Sequence, residues 1–260
     1  MVWRIDELIG QRGVHELCYC SPPASHPLRS SAAPVLLSAS HFGKLYRWDR
    51  DCSERVYFSR QAELMASIDQ AGILPLVAAE QNGRQSLLVF PRLHALRLDV
   101  WLAEQSQAPP RAVQLAIIRQ LLEALEAIHH HGYTHGTVRP EHLLIGPAEK
   151  LTLVGLGGCE EVGQWTCLPR LETRYDAPEM CRDEFEASSA QDVFATAEVI
   201  AQLLGPAAQA MPIIGAMQSQ NPNDRPSTTE LISLFHALEL ELFGSPAYSP
   251  APPAAARRAA

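Results

Sequence analysis

The chain has 260 residues, a hydrophobic fraction of 47% and a formal net charge of −8. This length is enough to bury a large core and suits one domain with two lobes. The acidic balance argues against a nucleic-acid-binding protein, because such proteins present basic surfaces.

No segment predicts a membrane span, secretion or a metal site. A transmembrane helix needs about 18 or more consecutive apolar residues, and the chain has no such run. The amino terminus, MVWRIDELIG, carries acidic residues where a signal peptide needs an apolar core. The six cysteines are too sparse for a disulfide scaffold, and Cys18-Tyr19-Cys20 lacks the usual zinc spacing. We therefore expect a cytoplasmic protein with reduced thiols and no bound metal.

The first predicted element is a β-hairpin at residues 5–20, IDELIGQRGVHELCYC. It resembles the glycine-rich hairpin of protein kinases, whose G-x-G-x-x-G glycines let the backbone approach the ATP phosphates. Gly10, Arg12 and His15 occupy the three glycine positions. Arg12 could attract phosphate, but its side chain would fill the space that the phosphates need. The resemblance implies a degenerate loop and no bound cofactor.

A Pro/Ser-rich segment at about residues 21–33 predicts an insertion between strands. The next run, PVLLSAS at residues 34–40, resembles the third kinase strand, V-A-I-K, with Ser38 in place of the phosphate-pairing Lys. A second register uses KLYR at residues 44–47 and puts Arg47 at that position. Neither register supplies the Lys.

The run FSRQAELM at residues 58–65 resembles the small-lobe kinase helix, F-x-R-E-A-x-L-L. Gln61 stands where the Glu that pairs with the Lys is expected, and Glu63 is expected to be exposed. The joint absence of Lys and Glu is coherent, because a lone buried charge is costly. Residues 73–77 and 86–90 predict the fourth and fifth strands, and residues 91–95 predict the hinge.

After Pro109-Pro110, apolar residues recur at helical spacing as far as Ile128. This pattern predicts a long helix buried on one face. His129-His130-His131 follow, and consecutive helical residues point about 100° apart, so the three imidazoles cannot share one metal ion. We expect a solvated helix end.

The run IHHHGYTHGTVRPEHLLI at residues 128–145 resembles the catalytic loop of protein kinases, LHxxGIVHRDLKPENILI. His135 matches a structural His of that loop. Thr137 replaces the Asp that takes the substrate proton, and Arg139 replaces the Lys that steadies the transferred phosphate. His142 replaces the metal-binding Asn. The resemblance implies a kinase frame without its catalytic groups.

The run VGLG at residues 154–157 falls at the D-F-G position of the family. Gly155 then replaces the magnesium-binding Asp. A register slip of two puts Leu153 there instead, and neither register supplies an acid.

The bracing residues of the large kinase lobe are present. The run LETRYDAPE at residues 171–179 resembles G-T-P-x-Y-x-A-P-E, with Glu172 in place of the Thr. The NPNDRPS turn resembles D-P-x-x-R-P-S, so Glu179 and Arg225 are expected to form an ion pair. Asp192 in QDVF is expected to hold the backbone of the catalytic-like loop. The family's substrate-docking helix is reduced near residues 205–211, and residues 228–243 predict the last helix.

The sequence is therefore identified as a degenerate member of the protein kinase family. We expect an α+β, bilobal kinase-like fold with a β-rich small lobe at residues 1–92, a mainly helical large lobe at 93–243 and a disordered tail at 244–260. The resemblance implies a pseudokinase that is not an enzyme and acts as a scaffold or allosteric regulator. Its partner would be a protein, such as an active kinase or a signalling or secretion component.

Two alternatives stay open at this point. One is a pseudokinase that binds nucleotide without metal through Arg12 or Arg139. The other is an enzyme with a repurposed cleft centred on His142, for which the further candidate groups are His135, Cys159, Glu160 and Glu161.

Overall fold

The computed structural model describes residues 3–12, 15–22, 41–47, 53–82, 85–166, 173–182 and 184–244. The expectations for Ser38, for Glu172, for residues 23–33 and for the tail at 245–260 lie outside these ranges. The domain boundaries given above stay predictions.

The chain divides into two compact units. The N-terminal unit is drawn from Met1–Asp69 and Leu74–Leu93, and the C-terminal unit from Gln70–Ile73 and His94–Ala260. A sheet dominates the first unit and helices dominate the second, which confirms the predicted α+β class.

The N-terminal unit is a five-stranded antiparallel sheet with one helix. Its strands lie in the order β1-β2-β3-β5-β4. The elements are β1 (Arg4–Arg12), β2 (His15–Ser21), β3 (His41–Arg47), α1 (Ser53–Ser67), β4 (Ala78–Asn82) and β5 (Gln85–Pro91). The predicted hairpin and fifth strand are present.

The predicted fourth strand is misplaced. Residues 73–77 contribute only a backbone bridge from Ile73 to Leu153, and the strand begins at Ala78. Pro75 has no backbone N–H to donate, so it interrupts the ladder that the run of apolar residues predicts. Val77 N–H donates to Val89 O at 2.8 Å and leads into β4.

The third strand of the sheet lies at His41–Arg47, between β2 and β5. Gly43 is required there, because a Cβ at this position would lie 2.8 Å from Cys18 Sγ and 2.9 Å from Leu87 Cδ1. This face of the sheet forms a buried apolar cluster of Trp3, Cys18, Cys20, Leu45, Leu87 and Val89. Side chains alternate along a strand, so Lys44 and Tyr46 lie on the opposite face.

The C-terminal unit contains six α-helices among its described residues. They are α2 (Leu98–Glu104), α3 (Arg111–His130), α4 (Ser189–Leu204), α5 (Pro206–Gln209), α6 (Pro212–Met217) and α7 (Thr228–Phe243). Short strands connect them: β6 (Leu96–Arg97), β7 (Tyr133–Thr134), β8 (Leu143–Ile145), β9 (Leu151–Leu153), β10 (Glu160–Glu161), β11 (Trp165–Thr166) and β12 (Phe185–Glu186).

The core of this unit forms around α3, the predicted long helix. Ile117, Ile118, Leu121, Leu122 and Leu125 are fully buried. Full burial of each such side chain contributes about 1.5–3 kcal/mol relative to exposure. The helix ends where Gly132, at φ +79°, donates its N–H to His129 O at 2.9 Å. The catalytic-like loop follows directly.

Two later helices have strong sequence-encoded starts. Ser188 caps α4 with Gln191, and Ser227 caps α7 with Glu230, each as a capping box that satisfies otherwise unpaired backbone N–H groups. The predicted last helix at 228–243 is confirmed as α7. The predicted reduction of the docking helix corresponds to α5, which has four residues. Among the described residues, no helix is both long and apolar enough to cross a bilayer.

Candidate functional site around the His135 loop

The loop after α3 is held by one buried carboxylate. Asp192, in the first turn of α4, accepts hydrogen bonds from His135 N at 2.7 Å, Gly136 N at 2.8 Å and His129 Nε2 at 2.8 Å. Burial alone would raise the pKa of Asp192, but the bonds from His129 and His135 outweigh burial and hold that pKa below its usual value. Asp192 therefore acts as a charged anchor for the loop backbone.

His135 is fully buried beneath the loop. Its Nε2–H donates to Val154 O at 2.9 Å, and its Nδ1 accepts from Thr137 N at 3.3 Å. Burial lowers the pKa of His135, an effect that the nearby Asp192 opposes only in part. The ring is therefore neutral near pH 7 and ties the loop to the strand end at Val154.

His142 and Gly155, the two expected metal-ligand positions, are in direct contact. His142 Nδ1–H donates to Thr137 O at 2.7 Å, and Val154 N donates to His142 O at 2.9 Å. Gly155 has φ +90°, and a Cβ there would lie 2.7 Å from His142 Cγ. The imidazole therefore fills the volume that a side chain at 155 would need.

These two positions do not fit a magnesium ion. Mg²⁺ prefers oxygen ligands in octahedral geometry, usually one or two carboxylates with waters. Position 155 offers no side-chain donor, and position 142 offers an imidazole whose Nδ1 is already bonded. These side chains therefore offer no ligand set for a metal-dependent step.

Thr137 and Arg139, which replace the catalytic Asp and Lys, also make local contacts. A Cβ at Gly158 would lie 2.9 Å from Thr137 Cγ2. Arg139 Nη2 lies 3.9 Å from Asp176 Oδ1, and Asp176 Oδ2 accepts from Thr173 N at 2.8 Å. Both side chains therefore contribute to loop packing.

Glu179 and Arg225 form the ion pair that the sequence predicts. Arg225 Nη1 and Nη2 donate to the two carboxylate oxygens at 2.7 and 2.8 Å. Arg225 also donates to Ala190 O at 3.0 Å and Ser219 O at 2.9 Å, and its guanidinium lies 5.1 Å from the centroid of the Phe194 ring. This bidentate pair joins the segment before α4 to the turn before α7.

In the N-terminal unit, Gln61 takes part in a neutral hydrogen bond. Tyr46 Oη donates to Gln61 Oε1 at 2.9 Å, and both residues are buried. The Tyr46 and Phe58 rings meet edge to face at 5.5 Å between centroids. These contacts pack α1 against β3. Burial raises the pKa of Tyr46, so its hydroxyl stays protonated as a donor.

Lys44 is a cation of β3 that the sequence analysis did not weigh as a site residue. It lies in β3, the third strand, on the same face as Tyr46, which contacts α1. The residue of β3 that bonds to Gln61, the position of the family's pairing Glu, is Tyr46. The absence of the phosphate-pairing Lys therefore stays a prediction. The register of β3 could not be chosen from the sequence without the strand pairing.

The remaining candidate residues from the sequence analysis belong to separate elements. Gly10 pairs with Leu17, and Arg12 with His15 at the turn end of the first hairpin; no atom lies within 4 Å of a Cβ at Gly10, so close packing does not require glycine there. The fold brings together only some of the residues named for a repurposed cleft. The rings of His135 and His142 are 5.8 Å apart between centroids, Cys159 and Glu160 are buried, and Glu161 is exposed on β10. Among the described residues, no three metal-binding side chains cluster.

Comparison with known proteins gives one family. A family model described as "Protein kinase domain" matches residues 45–208. The chain is 26% identical to the serine/threonine-protein kinase MAK of Mus musculus over 162 residues, which are 62% of this chain and 25% of that protein. It is 28% identical to serine/threonine-protein kinase PknL of Mycobacterium tuberculosis over 151 residues, 56% of this chain and 37% of that protein. It is 27% identical to serine/threonine-protein kinase PknH of Mycobacterium bovis over 219 residues, 78% of this chain and 33% of that protein.

These comparisons correct one prediction. The sequence was expected to encode a protein that is not an enzyme, whereas a protein kinase domain and relatives named as serine/threonine-protein kinases point to a protein kinase enzyme, at 26–28% identity. The chain covers between 25% and 37% of the length of these relatives. Because the family match covers residues 45–208, more than half of the chain, the protein belongs to the protein kinase domain family.

Proposed function

We propose that this protein kinase domain acts mainly by binding another protein, as a scaffold or an allosteric regulator in the manner of a pseudokinase. The observation that carries the proposal is the contact between His142 and Gly155, which leaves both expected magnesium positions without an oxygen side chain. Phosphoryl transfer relies on magnesium to neutralise charge and on a carboxylate to orient the nucleophile. Thr137, at the position that orients the nucleophile in the family, offers no carboxylate.

The bracing contacts support a folded binding domain. Asp192 accepts two hydrogen bonds from the loop backbone and one from His129 of α3, and Arg225 and Glu179 form a bidentate pair. A rigid loop of this kind suits protein recognition, because a preorganised surface loses little conformational entropy on binding. A cytoplasmic location and a protein rather than a nucleic-acid partner belong to the same proposal, in keeping with the net charge of −8.

A nucleotide-dependent kinase activity is the second candidate. The names of the relatives favour it, and Lys44 on the third strand supplies a cation that could pair with phosphate. On this alternative, nucleotide binding would depend on Lys44 or on Arg139 and need little magnesium.

The two candidates can be separated with one purified partner. The full chain is tagged, and the protein that it binds in the native host is identified and then produced pure. The dissociation constant of this partner is measured with the wild-type chain and with the Lys44→Met variant. Regulatory binding predicts equal affinity within about twofold and no transfer of labelled phosphate to the partner. A Glu179→Ala variant, which breaks the brace, should lose binding.

A different result would favour the enzyme. Transfer of labelled phosphate to the partner that is abolished by Lys44→Met would contradict the regulatory proposal. Unchanged partner binding by Glu179→Ala would show that the braced loop is not needed for recognition.

A further inference from the structure

An exposed tryptophan lies on the surface of the C-terminal unit. Trp165 is 70% exposed, and the nearby Val162 is 49% exposed. Tryptophan is usually highly buried, and neighbouring exposed apolar side chains often mark contact sites. Trp is also one of the residues most enriched among those that dominate binding energy at protein interfaces. This tryptophan takes no part in the site around His135.

A short β ladder holds the backbone at Trp165. Trp165 lies on β11, directly opposite Glu186 of β12, while the buried Thr166 pairs with the buried Phe185. Side chains alternate across a strand, so Trp165 and Glu186 share the outer face of this ladder. The ladder continues through Gly163 N to Ala187 O and Ala187 N to Gln164 O, both at 2.8 Å. The indole is therefore presented on regular structure.

Three exposed glutamates lie on or next to the strands that carry Trp165 and its pairing partner. Glu161, Glu184 and Glu186 are all exposed. Tyr133 Oη donates to Glu161 Oε1 at 3.3 Å, and Glu186 Oε1 lies 3.7 Å from a Cβ placed at Gly163. Residues 160–166 and 184–187 contain four glutamates and no lysine or arginine. We call Glu161, Val162, Trp165, Glu184 and Glu186 the Trp165 surface.

We propose that the Trp165 surface binds a basic segment of a protein partner, with an arginine side chain stacked on the indole. A guanidinium over a tryptophan face gains a cation–π interaction, and its N–H groups match carboxylate geometry better than an ammonium does. The glutamates would pair with this arginine and with neighbouring cations. A second copy of this chain is the poorer occupant, because its net charge of −8 would oppose the acidic rim. The inference rests on the proposed protein-binding function and specifies the chemistry of the partner.

A peptide titration followed by NMR tests this inference. The full chain is labelled with ¹⁵N in its tryptophan indoles, and the Trp165 signal is assigned by its loss in Trp165→Phe. The probe is the peptide acetyl-GRLRGRLRG-amide, and the matched control is acetyl-GQLQGQLQG-amide. We expect the arginine peptide to shift the Trp165 signal saturably and the glutamine peptide to leave it unchanged.

Variants locate the binding energy on the surface. Trp165→Ala should weaken peptide binding roughly tenfold or more, as expected for an aromatic anchor. Glu184→Gln with Glu186→Gln should weaken it about threefold or more in dilute salt, and high salt should remove that difference because it screens exposed charges. Trp101→Phe is the control substitution and should bind as wild type does. Circular dichroism checks that each variant is folded.

Two results would overturn the inference. One is an arginine-peptide affinity that Trp165→Ala leaves unchanged, and the other is equal binding of the two peptides. The partner identified for the proposed function separates the role of the Trp165 surface from protein binding itself. If this partner binds Trp165→Ala as tightly as it binds wild type, the Trp165 surface has no role in recognition, and the proposal of protein binding still stands.

Discussion

His142 and Gly155 are complementary in volume: the imidazole occupies the place of a side chain at 155, with Cγ 2.7 Å and Nδ1 2.8 Å from the missing Cβ. His142 is fixed by its bond to Thr137 O at 2.7 Å. An aspartate introduced at 155 alone would have to displace the ring. The two positions therefore have to change together before a metal site could form.

Gly155→Ala should destabilise the domain through both backbone strain and this contact. We expect a loss of about 2–4 kcal/mol in the free energy of unfolding, measured by urea denaturation. Gly132→Ala is the matched control, because Gly132 also has positive φ but has no atom within 4 Å of a Cβ. It should cost about 1–2 kcal/mol, from strain alone. Equal losses in the two variants would show that His142 does not obstruct position 155.

His142→Ala should relieve part of the cost of Gly155→Ala. Residues in contact show coupling energies of about 0.5–3 kcal/mol in a double-mutant cycle. We expect the double variant to be more stable than the sum of the two single losses predicts, by roughly 1 kcal/mol or more on the same scale. Strict additivity in urea denaturation would contradict the contact.

Breaking the pair between Glu179 and Arg225 should be strongly destabilising. Glu179→Gln leaves a buried guanidinium without its carboxylate, and loss of one partner of a buried pair typically costs about 3–5 kcal/mol. Arg4→Gln removes an exposed pairing with Asp6 and should cost less than about 0.5 kcal/mol. Thermal unfolding of both variants compares them, and similar melting temperatures would refute the bracing role.

Acid should destabilise the domain through His135. The pKa of His135 is lowered in the folded state by burial, whereas an unfolded histidine has a pKa of about 6.5. The unfolded state therefore binds more protons below about pH 6.5, so stability is complete above that pH and falls as the pH drops toward the folded pKa. The slope from one such group is at most about 1.4 kcal/mol per pH unit.

Two variants isolate this contribution. His135→Gln should flatten the decline in unfolding free energy between pH 7 and 5.5, since Asp192 and the other histidines remain. His131→Gln alters an exposed ring and should keep the wild-type slope. If the two variants have the same slope, His135 is not the group that titrates.

Removing the Tyr46 hydroxyl should loosen α1. Tyr46→Phe leaves buried Gln61 Oε1 without its donor, and an unsatisfied buried acceptor costs about 1–3 kcal/mol. Tyr133→Phe removes a hydroxyl that bonds the exposed Glu161, and its cost should stay within about 0.5 kcal/mol. Hydrogen exchange of the α1 amides measures the local effect, and unchanged protection in Tyr46→Phe would argue against this bond.

Local motifs account for what the sequence predicts well. The apolar periodicity of α3, the capping boxes of α4 and α7, and the loop from His135 to His142 are encoded by residues close together in the chain. The pairing of Glu179 with Arg225 is long-range, and only the resemblance to the kinase family made it predictable.

Other features depend on contacts that spacing does not reveal. A one-residue shift of register reverses the faces of a strand, so the sequence could not decide which run forms β3 or that it carries Lys44. The contact between His142 and Gly155 forms because the fold brings the loop and the end of β9 together, and the spacing of the two residues in the sequence does not reveal it. The same holds for the ladder that presents Trp165 opposite Glu186.

The most direct test of the central claim is a thermal shift with ATP, with and without magnesium. A ligand raises the melting temperature only if it binds the folded state, so the shift reports affinity. We predict little or no difference between ATP with magnesium and ATP with a chelator, for wild type and for His142→Ala alike. A magnesium-dependent rise of several degrees in the wild-type protein would contradict the claim that positions 142 and 155 cannot hold the metal.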